Sequence, residues 1–521
     1  MYALDVNCRP TLLLATVALV GCSNSHPARD PHEFVWATRT PIVTLDPAAV
    51  SDQVTADALR QVYECLVTVD DNGKIKPGLA KAWEWSAGRK LLTLHLQTGV
   101  KFSNGQPLTA VDVVNSLNRA INVRIGGGLA RDYLQDVKGA ADSSNMPIPG
   151  VIALDSQTIG ITLTHHSNSF LPKLSYPALA IVYQPLPPFP ILKVDQMIGT
   201  GPFKAVSFTE GSELNLESRP DYWGGRPGID RVKILCLKDD QTRISLLNKG
   251  QVDLGYVPPT EVRPFSQNPR LHITPLAQVG YLLLNPKTFP PLADRRVRLA
   301  LAMAIDRPRL VRDVLGDVFE LAQGVVPPSL AGRRPRSLMP EFNPSAAQRL
   351  LAEAGYPSGK GFPQIKVSVA KKGHPDVTAE AIATDWRTNL GVDASVAEGS
   401  SNDLVERAQR GELPFYVTGW SGDYADLGNF VPMLFASHSS QNLSEYRNSR
   451  VDDLIGLADV VSDDAQRKAL LTRAEALVLA DMPIIPLYHK RDPELTSPNF
   501  TQIPFTPYGH LSLVGVRPVG R

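Results

Sequence analysis

Long hydrophobic runs are scarce in this 521-residue chain. After residue 20, every apolar stretch is broken by charge, glycine or proline within about 18 residues, so no later segment suits a bilayer span. Cysteine is also scarce, with four in all, and no CxxC pair of the kind used by zinc and redox sites occurs. HExxH is missing too. The ten histidines are scattered, and the one adjacent pair, His165-His166, lies in a polar turn that reads as solvated and not as a metal site. Charge has no excess of either sign: 53 Lys plus Arg against 52 Asp plus Glu gives a formal net charge of +1. That excludes the basic excess of a nucleic-acid binder. Three near-matches to enzyme motifs fail on their spacing. "GWSGD" around Ser421 has Asp423 where a nucleophile elbow needs its last glycine. "GYPSGKG" around Lys360 lacks the Ser or Thr of a phosphate loop. "RIGGGLA" (124–130) lacks the dinucleotide pattern. No metal, cofactor or catalytic set is expected.

The N-terminus does carry a short apolar run. "TLLLATVALV" (11–20) has ten residues, the length of a signal-peptide core, and it runs into "LVGC", ending at Cys22. Small residues before a cysteine resemble the lipobox of bacterial lipoprotein precursors; a plain secretory signal is the alternative. Residues 1–21 then read as a signal peptide, Cys22 as the lipidated residue, and 22–32 as a polar tether to a membrane surface. Cys8 falls in the removed segment. Cys65 and Cys236, both in apolar settings, form either one disulfide or two buried thiols.

The rest of the chain is α/β in pattern, with strands and helices alternating throughout. "LDSQTIGITL" alternates as a strand should. Thr109, with Asp112 three residues on, opens a helix with capping-box spacing. A helix is expected around Val54–Cys65. "NPSAAQRLLAEAGYP" (343–357) shows Asn343 as cap, Pro344 at the first position, and Gly355 and Pro357 at the end. "FYVTGW" reads as a buried strand. Length alone suggests roughly three units.

The order and wording of several segments resemble the solute-binding lipoproteins of bacterial peptide importers, the dipeptide- and oligopeptide-binding family. The matching segments are "IKPGLAKAWEWS", "LTLHLQTGVKFSNGQPLTAVDVVNSLNR", "GTGPFKAVSFTEGSELNLESRPDYWGG" and "DRRVRLALAMAIDRPRLV". The resemblance implies a two-lobed periplasmic-binding-protein-like clamp of the large type II peptide-binder kind. Lobe I would take residues 33–285 and 486–521, with an inserted subdomain near 67–195; lobe II would take 286–485. Crossings near Leu284-Asn285 and Pro486-Leu487 would act as the hinge. The implied function is capture of short peptides and delivery to the permease of an ABC-type importer, by a monomer. Haem, a nickel chelate or a sugar-derived solute are the alternative ligands. An enzyme or a sensor accessory is the other class considered.

The same resemblance points to "GWSGDYADLGN" (419–429) as the ligand loop. Asp423 would pair with the free amine of a peptide, since a fixed carboxylate recovers much of the hydration an ammonium loses in a closed cleft. A cap is the structural alternative for Asp423. Gly419, Trp420, Ser421 and Gly422 would lie beside the ligand backbone in the manner of strand addition. Asp426 is balanced between ligand and cap, and Asn429 is expected to cap the next helix. Trp420 is balanced between cleft floor and core; Trp386 is expected in the core. Lys371 and Lys372 stand where some relatives anchor a carboxylate, though an exposed pair is more often solvated.

Overall fold

The computed structural model describes residues 30–520, apart from 71–72, 126–127, 142–146, 185–189, 332–335, 372–375, 423, 425 and 507–510. The signal segment, Cys22, Lys372 and Asp423 lie outside the described residues.

One mixed sheet of eleven strands runs through most of the molecule. Its centre is a pair of long antiparallel strands, Leu271–Leu284 and Ile484–Thr496. On one side stand Leu254–Tyr256, then Glu33–Thr38, then Arg231–Cys236 and the hairpin Phe203–Thr209/Glu213–Ser218, all within the span expected for lobe I. On the other side stand Phe415–Ser421, Ile365–Ala370 and Ala394–Gly399, all within the span expected for lobe II. The two strands pair in two stretches, Leu271–Pro275 with Arg491–Leu495 and Val279–Leu283 with Ile484–His489. Register shifts fall between Pro275 and Val279 and between Gly280 and Tyr281. These breaks sit earlier than the expected crossing at Leu284-Asn285, which is fully buried at the end of its strand. Irregular pairing is where a sheet bends most easily.

A second sheet of four strands, Ala80–Trp85, Leu91–Leu96, Thr158–Thr162 and Val151–Ala153 in spatial order, lies wholly inside 67–195. The helix Ala110–Ala120 covers it, opened by the Thr109–Asp112 capping box. A buried ion pair ties this layer to lobe I. Arg119 Nη1 donates to Asp46 Oδ1 at 2.9 Å, and its Nη2 donates to Oδ2. The backbone N–H groups of Ala48 and Ile191 complete that carboxylate at 3.0 and 2.9 Å. Two residues of the matching "DYW" segment converge on another buried carboxyl. Tyr222 Oη and Trp223 Nε1 donate to Glu64 at 2.6 and 2.9 Å. Burial pushes the Glu64 pKa up, and these donors work against it.

Local signals placed several elements well. Asn343 caps the helix Pro344–Glu353, with Pro344 at its first position. Trp386, in the helix Val377–Leu390, is fully buried, and its Nε1 donates to Leu301 O at 2.9 Å. The helix expected over Val54–Cys65 is shorter, Gln53–Leu59. Gln61 ends the run by binding the C-terminal segment, donating to Leu511 O at 2.6 Å and accepting from Leu513 N at 3.1 Å. Cys65 and Cys236 are both free thiols. Cys65 donates to Tyr176 O at 3.3 Å, and burial pushes its pKa up to about 12. No helix among the described residues is long and apolar enough to cross a membrane.

Candidate functional site

The strand Phe415–Ser421 begins as core and ends at the surface. Phe415, Tyr416 and Val417 are buried; Gly419 is exposed, and Trp420 and Ser421 are half-buried. One edge is paired along its length, from Leu284↔Phe415 to Gln278↔Ser421. Gly422 extends that edge, donating to Ala277 O at 2.7 Å. The other edge is paired with the Ile365–Ala370 strand only at Tyr416 and Val417. Beyond Val417, no strand among the described residues occupies it. Gly419 permits the close approach on the paired side: a Cβ there would stand 2.8 Å from Val279 O. The chain thus offers a short open strand edge, and open edges are templates for an added strand.

A cleft opens over the two long strands, lined by no described residue of 415–422. Gln278, opposite Ser421, lines it together with Arg39, Asp57, Tyr256, Asp492 and Glu494. Alternation along the return strand puts Asp492 and Glu494 on one face. Burial raises the pKa of both and pushes Asp57 up to about 7, against the attraction of nearby Arg groups. Arg39 lies over the Tyr256 ring at 3.7 Å. Arg39, Lys490 and Arg491 line the same cleft, so its three carboxyls share it with three cations. Their scattered positions (57, 492, 494) left no signal in sequence.

The predicted loop residues divide. The Trp420 Nε1 donates to Asn429 O at 2.5 Å and to its Oδ1 at 3.0 Å, so the indole N–H is spent inside the lobe and only ring surface faces outward. Asn429 is fully buried in that contact and does not cap the following helix, Val431–Phe435, whose cap position is Phe430. Asp426 binds Arg467 through both oxygens, at 2.6 and 2.5 Å, and also accepts from Gly428 N at 2.6 Å. Both partners are largely buried. Of the two roles weighed for Asp426, this is the capping one. Lys371 is exposed, with its backbone N–H on Gly399 O. His165 is exposed near Asp136 at 3.5 Å, while His166 is partly buried against Trp85, with its pKa lowered by burial. No cluster of potential metal ligands occurs among the described residues.

Two lobes on a shared pair of long strands, an inserted layer and an open strand edge define a solute-binding protein of the periplasmic type. Residues 74–442 match the model of the bacterial extracellular solute-binding proteins, family 5, middle region, and the chain belongs to that family. It is 28% identical over 549 residues to heme-binding protein A of Haemophilus influenzae, covering 98% of this chain and 99% of that protein. It is 28% identical over 445 residues to the dipeptide-binding protein of Escherichia coli, covering 80% of this chain and 81% of the other. The structure of OppA from Burkholderia pseudomallei superposes with a TM-score of 0.81 at 25% identity, covering 94% of this chain and all of that one. The fold expected from sequence is the fold observed, and the family acts outside the cytoplasm as the capture component of importers.

Proposed function

We propose that this protein captures short peptides between its lobes and hands them to an ABC-type importer, held at the membrane surface by a lipid on Cys22 and working as a monomer. The observation that carries the reading is the open edge of Phe415–Ser421 beyond Val417. A peptide laid along Thr418–Ser421 would supply main-chain partners irrespective of its side chains. Asp423, the residue after Gly422, supplies the carboxylate for its free amine. Relatives named for dipeptide and oligopeptide binding support the ligand class.

A second reading keeps the lobes and takes haem, because the relative matched over nearly its whole length is named for haem. The two separate on a titration of the purified chain. A peptide binder takes up trialanine and discriminates against its N-acetyl form; a haem binder develops a Soret band on haem addition and ignores both peptides. Trialanine and N-acetyl-trialanine binding equally well would end the amine-anchor proposal.

A further inference from the structure

We propose that the inserted subdomain and lobe II are held together by a clasp made of Tyr424 and the Ser167-Asn168 corner, and that this clasp sets how long the lobes stay shut. Two separate contacts build it. The first is a side chain that crosses the gap. Tyr424 belongs to lobe II by chain position, yet it is 1% exposed and packs within the lobe I core, edge-on to Tyr133 at 5.9 Å. Tyr133 in turn meets Tyr176 edge-on at 5.6 Å, so the lobe II ring completes a row of aromatics contributed by the other lobe.

The second contact is a helix end capped from across the gap. The helix Ser449–Val460 terminates with carbonyls that the helix itself does not satisfy. Asn168 reaches three of them: its backbone N–H donates to Asp459 O at 3.2 Å, and its Nδ2 to Val461 O at 2.5 Å and Ala458 O at 3.3 Å. Beside it, Ser167, 1% exposed, donates through Oγ to Asp459 Oδ1 at 3.2 Å. Opening the lobes would strip the cap from this helix end and pull a tyrosine ring out of a packed core into water. Both costs fall on the opening step, so the clasp acts on release. A link to ligand seating follows because Tyr424 sits directly after Asp423; this link alone rests on the peptide reading.

The test uses the intact chain and the variants Asn168→Ala, Tyr424→Leu and Tyr424→Ala, with small-angle scattering of the ligand-free proteins and stopped-flow release of trialanine. Tyr424→Leu keeps most of the packing volume should the alanine variant fold poorly. Expected are a larger radius of gyration than wild type and trialanine release faster by roughly 3–10-fold for Asn168→Ala, the worth of one or two hydrogen bonds, with association changed less than twofold. If trialanine does not bind wild type, the peptide reading falls and the scattering comparison still decides the clasp. Unchanged radii in folded variants would overturn it, as would release rates identical to wild type where the peptide binds.

Discussion

Replacing Arg119 with alanine should cost lobe I several kcal/mol, and the structure sets out the sum. Each Asp46 oxygen holds one guanidinium N–H and one backbone N–H, and both side chains are almost fully buried. Removing the guanidinium leaves a carboxylate facing two N–H donors in a dry interior. Breaking a buried pair in this way costs about 3–5 kcal/mol. For a cooperative unit of roughly 250 residues, about 2 °C is lost per kcal/mol, so calorimetry should show a fall in Tm of about 6–10 °C. Adding Asp46→Asn to Arg119→Leu should recover a sizeable share, because no charge is then buried while the acceptor oxygen remains. Peptide binding by the surviving folded protein should be unchanged, since the pair lies between layers and away from the cleft. A loss below about 1 kcal/mol for Arg119→Ala, or a double variant weaker than the single, would refute the account of a buried charge pair.

Other outcomes follow from named contacts. Asp423→Ala should weaken trialanine binding by about 2–5 kcal/mol in calorimetric titration, as for a broken buried charge contact. Asp426→Ala should instead lower stability by roughly 2–4 kcal/mol, by stranding Arg467, and leave the preference for a free amine intact; loss of that preference would reverse the two roles. Asp57 titrates near 7 in the folded chain against 3.8 for an ordinary aspartate. The folded state therefore holds a proton that the unfolded state releases. Its contribution is fully present below pH 4 and lost as pH rises to 7, so denaturation curves for Asp57→Asn should lose about 1.4 kcal/mol per pH unit of that downward slope. Trp386→Ala should cost about 3–5 kcal/mol in urea unfolding, from the cavity and the orphaned Leu301 carbonyl.

Much of the fold was legible because its signals are local. Capping residues at Thr109 and Asn343, a proline at a helix start and strict strand alternation speak through a few neighbouring residues. Trp386 was readable as core for the same reason: it sits on the apolar face of a helix. What stayed hidden depends on partners far away in the chain. Asp426 stayed balanced between ligand and cap because Arg467, 41 residues on, carries no marker of pairing. Asn429 had the composition of a cap but was claimed by an indole nine residues earlier. The Val54–Cys65 helix stopped early because Gln61 was needed by Leu511 and Leu513. The carboxyls of the cleft come from two ends of the chain, and only the sheet brings them together.

That bond between Gln61 and Leu511 spans 450 residues, and it has company. Asp253 accepts from Val35 N and from Ser497 Oγ, and the strand Leu254–Tyr256 pairs with Leu495 and its neighbours. Lobe I therefore lacks a sheet neighbour and a wall of its core until the last few dozen residues have arrived. Contacts this distant form slowly, because loop closure must come before any reward. A chain leaving the ribosome from its N-terminus carries an unfinished first lobe for the whole of its synthesis. For a family that works outside the cytoplasm, such an order of contacts would leave the first lobe open until the C-terminal segment has followed it across.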